Sequence, residues 1–99
     1  MFAIVWKYQV TDANAVAFER AYGPEGEWVR LFRTAPGFVG TDLVRGDQPG
    51  VYVTIDRWHQ RDDFDRFLEH HREPYDRLDR EFESLTESEE LIARGDAVA

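Results

Sequence analysis

Residues 2–10, Phe-Ala-Ile-Val-Trp-Lys-Tyr-Gln-Val, constrain the fold more than any other stretch of the chain. Phe2, Ile4, Trp6, Tyr8 and Val10 fall on one side of an extended segment, because side chains on a strand alternate with a period of two. Ala3 and Val5 make the start of the opposite side apolar too. Residues 51–58 behave alike: Val51, Val53 and Ile55 share one face, and Tyr52, Thr54, Asp56 and Trp58 share the other. A strand that is apolar on both faces must be covered on both faces.

The remaining segments supply that cover. Ala15, Phe18 and Tyr22 recur at helical spacing after a Thr11-Asp12 turn. Gly23-Pro24-Glu25-Gly26 interrupts them, and Pro24 can open a second short helix that carries Trp28, Leu31, Phe32 and Ala35. Residues 38–47 read as a strand with Val39, Thr41 and Leu43 on one face. Gly46 to Gly50 then turns the chain into the strand at 51–58 as a hairpin. Phe64, Phe67, Leu68, His71, Tyr75, Leu78 and Phe82 keep helical phase, with Asp62 and Asp63 suited to the positive end of the helix. Pro74 predicts a kink or break, with a second helix restarting there. Asp62/Arg66, Glu73/Arg77 and Asp76/Arg80 are spaced for ion pairs on the wet face. Residues 84–94 must provide the last strand, and 95–99 a loose tail.

Strand, helix, strand, strand, helix, strand is the βαββαβ order of an α+β, ferredoxin-like domain, here residues 1–94, with an antiparallel sheet and helices on one face. Helices on one face leave the other bare. Two such sheets packed together hide it, so the sequence predicts a homodimer with itself as partner.

Composition narrows the function. Aromatic residues make up 14% of 99 residues, enough large rings to build a core in a small domain. There is no cysteine, which removes disulfides, thiolate metal sites and a cysteine nucleophile. Residues 1–58 hold seven acids and six bases, and residues 59–90 hold twelve acids and five bases. The acidic excess argues against nucleic acid and anionic membranes as partners. No apolar run approaches the ~18 residues of a membrane span, and no signal-like segment opens the chain, so the expected location is the cytoplasm. No phosphate loop, nucleophile elbow or His/Glu metal motif is present; neither a cofactor nor a metal is expected.

Three features in combination resemble the antibiotic biosynthesis monooxygenase-type domains of the dimeric α/β-barrel superfamily. They are the aromatic first strand, Ala35-Pro36-Gly37-Phe38-Val39-Gly40 at the entry to the second, and a third strand ending in Trp58 before Asp63-Phe64 opens a helix. The resemblance implies a homodimeric barrel with a pocket in each subunit between helices and sheet. It also implies relatives that oxidise polycyclic phenols without metal or flavin, and others that degrade haem. The haem-degrading pattern is incomplete here. Trp58 matches its tryptophan, but Trp6 or Lys7 stands where an asparagine belongs, and His70 and His71 lie a few residues late.

The candidate chemistry follows. Trp58, His71 and Tyr75 are expected to act on a substrate, Trp58 by stacking and His71 as a general base. Trp6, Tyr22, Trp28 and Asp56 are expected to line the pocket for a small aromatic or polyketide-like ligand, with Tyr8 among the aromatic set. Each residue also fits a plainly structural role: Trp58 closing the core, His71 hydrogen-bonded within it, Asp56 in a salt bridge. The leading reading is a cofactor-independent monooxygenase; the others are a non-catalytic homodimeric binding domain and a haem-binding protein.

Overall fold

In a computed structural model that describes residues 1–98, the strands β1 (Phe2–Gln9), β2 (Phe38–Arg45), β3 (Val51–Trp58) and β4 (Ser88–Asp96) form one antiparallel sheet in the order β2-β3-β1-β4. Helices α1 (Ala15–Tyr22) and α2 (Glu27–Phe32) connect β1 to β2, and α3 (Arg61–His70) and α4 (Arg72–Phe82) connect β3 to β4. This is the ferredoxin-like arrangement that the alternation pattern predicts.

The two central strands put their parity to the predicted use. Phe2, Ile4 and Tyr8 of β1, and Tyr52, Thr54 and Trp58 of β3, are buried on the helix side. They meet Phe18, Tyr22, Trp28, Phe32 and Phe67 in a core made largely of rings. Trp58 is wholly buried, with ring centroids 5.1–5.8 Å from Phe32, Phe38, Phe64 and Phe67. On the opposite side Ala3, Val5, Val51, Val53 and Ile55 are only half-buried, and Val39 and Val44 are 44% and 46% exposed.

Several local expectations change. β2 carries a bulge between Phe38 and Gly40, so Val39 is an extra residue and does not share the Thr41 face. The first connection resumes its helix at Glu27 rather than at Pro24. Gly26 passes so close to the end of α1 that a Cβ there would lie 2.3 Å from the carbonyl oxygens of Arg20 and Ala21. The long helical stripe breaks at His71 (φ −124°, ψ 27°), three residues before Pro74. Pro74 therefore sits in the first turn of α4, where its missing N–H is not needed. The expected Asp62/Arg66, Glu73/Arg77 and Asp76/Arg80 pairs give way to Arg66–Asp63 and Arg72–Asp76, at 2.9 and 3.4 Å. β4 starts at Ser88 and runs to Asp96, past the point where the tail was expected. Gly95 and Asp96 pair with Ala3 and Phe2, while Ala99 lies outside the described residues.

At the Ala35-Pro36-Gly37-Phe38 turn, Gly37 adopts φ +91°, a conformation open to glycine, and a Cβ there would fall 2.3 Å from the Asp63 carboxyl carbon. The turn is thereby locked to the start of α3, and the Gly37 carbonyl accepts from the His59 amide at 2.8 Å.

Trp58 is expected to dominate stability. Trp58→Ala should cost ~3–5 kcal/mol in urea unfolding, because the ring cluster cannot collapse onto the void. Trp58→Phe should cost no more than about 2 kcal/mol, since the buried indole N–H it removes has no hydrogen-bond partner.

Candidate functional site

The ring core does not fill the space between helices and sheet evenly. Around Trp58 it is closed. Where the sheet offers Thr41, Thr54 and Asp56 in place of rings, it leaves a cavity of about 210 Å³. The sheet contributes Trp6, Tyr8, Thr41, Thr54, Asp56 and Glu89 to its wall, and the helices contribute Tyr22, Trp28, Val29, Phe32, Tyr75 and Asp79. An apolar cavity of ~150 Å³ is enough to admit benzene, so this one admits a ligand of one or two rings.

Asp56 is the singular group of that wall. Parity places it on the helix side, opposite Ile4 on one flank and Thr41 on the other. The Thr41 hydroxyl donates to its Oδ1 at 2.6 Å, and among the described residues no cation pairs with it. What exposure it retains is toward the cavity, with protein packed about it on nearly every side. Burial pushes its pKa up from 3.8 to about 6, against the opposing Thr41 hydrogen bond. A carboxylate with that affinity for protons, bordering an aromatic cavity, is matched to accept a proton near neutral pH.

The other polar groups are hydroxyls and one indole. Tyr8 Oη and Thr54 Oγ1 are 3.4 Å apart. Burial raises the Tyr8 and Tyr22 hydroxyls well above the usual phenol range. Tyr75 is pushed up to about 12 by burial and by the carboxylates of Asp79, Glu89 and Asp56. The Trp28 Nε1–H lies near the Tyr22 hydroxyl but makes no hydrogen bond of normal geometry. Trp28 is 8% exposed and borders the cavity, while its Nε1 is enclosed by protein.

Six of the sequence-predicted site residues, Trp6, Tyr8, Tyr22, Trp28, Asp56 and Tyr75, come together on this cavity. Trp58 and His71 do not. Trp58 lies in the closed part of the core. His71 occupies the break between α3 and α4, its ring stacked on Phe67 at 5.2 Å and its Nδ1 3.3 Å from the Phe67 carbonyl oxygen. With His70 it borders a separate surface cleft beside Pro36 and Arg66. Thr41, Thr54, Asp79 and Glu89 were not singled out from sequence. Asp79 follows Tyr75 by four residues and so shares its helix face, a signal available in the sequence; Glu89 depends on the register of β4, which the sequence does not give. Among the described residues no group of three or more His, Asp or Glu side chains is arranged to hold a metal ion, and no helix is long and apolar enough to cross a membrane.

A ferredoxin-like sheet with a ring-lined cavity under its helices defines a class of small α+β proteins, and comparison specifies the family. The family model for antibiotic biosynthesis monooxygenases matches residues 1–73, and the chain belongs to that family. A variant of SnoaB from Streptomyces nogalater, described as a cofactor-independent oxygenase, superposes with a TM-score of 0.74 at 26% identity, over 97% of this chain and 91% of that one. HapK from Hahella chejuensis gives 0.72 at 24% identity, over 99% and 93%. An antibiotic biosynthesis monooxygenase homologue from Nitrosomonas europaea gives 0.73 at 17% identity over both whole chains. No protein of curated function matches.

The raised pKa of Asp56 has a defined consequence for stability. Because the folded state holds this proton more tightly than the unfolded state, its favourable contribution is complete below about pH 4 and is lost as pH rises through about 6. Asp56→Asn should therefore stabilise the protein at pH 7.5 by roughly 1–2 kcal/mol, a gain that disappears toward pH 4. Thermal unfolding of the two proteins across that range reads the difference directly.

Proposed function

We propose that the protein is a cofactor-independent monooxygenase acting on a small hydroxylated aromatic molecule, with Asp56 as the general base. The observation that carries this reading is the position of Asp56: a carboxylate without a cationic partner, titrating near 6, on the wall of a cavity large enough for one or two rings. Family membership and the likeness to SnoaB support the oxygenase class.

In this chemistry the substrate supplies the electrons. Asp56 removes the phenolic proton, and the ring carbanion character of the phenolate lets it reduce O2. A ring C–H becomes a carbonyl: one oxygen atom enters the product, the other leaves as water, and four electrons pass from substrate to O2. The aromatic walls exclude water from the anion and hold the ring in place. Tyr75 closes the helix side, its ring edge 5.1 Å from Trp28.

The same reading includes a homodimer. Ala3, Val5, Val51, Val53 and Ile55, with Val39 and Val44, form an apolar face that no helix covers. A second copy presenting that face would bury it sheet against sheet. Val53→Asp should shift the protein to monomer in sedimentation velocity at micromolar concentration; an unchanged dimer would locate the interface elsewhere, and a wild-type monomer would remove the dimer.

Oxygen uptake with dihydroxynaphthalenes and anthrone tests the activity, in the presence and absence of chelator. Uptake should rise with pH through about 6 as Asp56 loses its proton. Asp56→Asn should lower it by ~10²–10⁴-fold, the usual contribution of a general base, while binding of the substrate persists. Full activity in Asp56→Asn would sink the assignment of the base.

A further inference from the structure

The charges around the cavity are all of one sign. Asp56, Asp79 and Glu89 border it, and no lysine, arginine or histidine does. Asp79 and Glu89 stand at its exposed end, on α4 and β4, and neither takes part in an ion pair among the described residues. They are close enough to act on each other: partial burial and the Asp79 charge both hold the Glu89 carboxyl above its ordinary range. Carboxylates from this set also contribute to raising the hydroxyls of Tyr8, Tyr22 and Tyr75, opposed at Tyr75 by Arg72, whose guanidinium lies 5.8 Å from that ring.

Such a site resists an anion. A phenolate formed beside Asp56 would meet two further carboxylates and no lining cation in return. A cation reverses each of these terms. An ammonium group between Asp79 and Glu89 relieves their mutual repulsion, and the rings of Trp6, Tyr22 and Trp28 attract it through their quadrupoles. Aromatic walls with carboxylates at one end are the chemistry that recognises amines.

We infer that the ligand is an amine-bearing hydroxyarene, its ammonium group held by Asp79 and Glu89 at the mouth and its ring hydroxyl directed to Asp56 inside. This inference rests on reading the cavity as the substrate site. Loss of the phenolic proton then leaves a zwitterion, neutral overall, in place of a free anion. The site correspondingly rejects carboxylated and phosphorylated aromatics.

Isothermal titration at pH 7.5 with three probes of one size tests it: tyramine, 4-ethylphenol and 3-(4-hydroxyphenyl)propionate. Tyramine should bind at least about tenfold more tightly than 4-ethylphenol, and the propionate should not bind. In the double variant Asp79→Asn/Glu89→Gln, tyramine should lose its advantage over 4-ethylphenol, and a retained advantage overturns the inference. A wild-type circular dichroism spectrum and melting temperature show that the variant is folded. Equal affinity for tyramine and 4-ethylphenol in the wild type, or binding of the propionate, overturns the inference. So does no binding of any probe. Oxygen uptake is measured separately, with dihydroxynaphthalenes bearing or lacking an aminomethyl group. Turnover without regard to the amine keeps the oxygenase reading and overturns this one. Selective binding of amines with no oxygen consumed does the reverse.

Discussion

The packing of Trp58 is the contact on which the rest of the structure depends. Its ring joins the end of β3 to α2 through Phe32, to the start of β2 through Phe38, and to α3 through Phe64 and Phe67. One side chain thus fastens both helical connections to the sheet at one end. A domain this small has little apolar area to spare, and this ring cluster, with the one that Tyr8, Phe18, Tyr22 and Tyr52 form at the other end of the same strands, holds the sheet and helices together around the cavity.

The contrast between packed rings and open cavity explains the electrostatics. Asp56 lies two residues from Trp58 on the same strand face, near enough to the packed region to lose most of its water, yet bordering the cavity. Desolvation without a cationic partner raises its proton affinity. The hydroxyl of Thr41 limits the rise, because it favours the charged form. The result is a group that changes charge in the range where a base is useful, produced by burial and one neighbour, with no assistance from a histidine.

Much of this was legible in the chain, and the failures have identifiable causes. Period-two patterning gave the inner face of β1 and β3 correctly, and with it the direction of Asp56, because both strands are regular along the predicted faces. It failed at Val39, where a single inserted residue reverses the parity of β2. Composition marked a helix break near Pro74, but the chain breaks at His71, because proline is tolerated inside the first turn that follows. Trp58 was recognised by its place at the end of a strand, yet that place is in the closed core. Motif position indicates where a residue lies along the chain and not which wall it faces. The acids at the cavity mouth escaped notice because polar residues on an acidic helix and a weakly patterned edge strand look alike whether they meet solvent or a ligand.

The interruption at His71 separates two tasks that a continuous helix would have combined. α3 buries Phe67 and buttresses the core, whereas α4 has no fully buried residue and carries Tyr75 and Asp79 on the cavity wall. A substitution on α4 consequently alters the shape and charge of the opening with little strain on the part that keeps the chain folded. Descendants of such a sequence can drift in what they accommodate while their architecture stays intact, so within this lineage α4 is the segment where divergence should gather first.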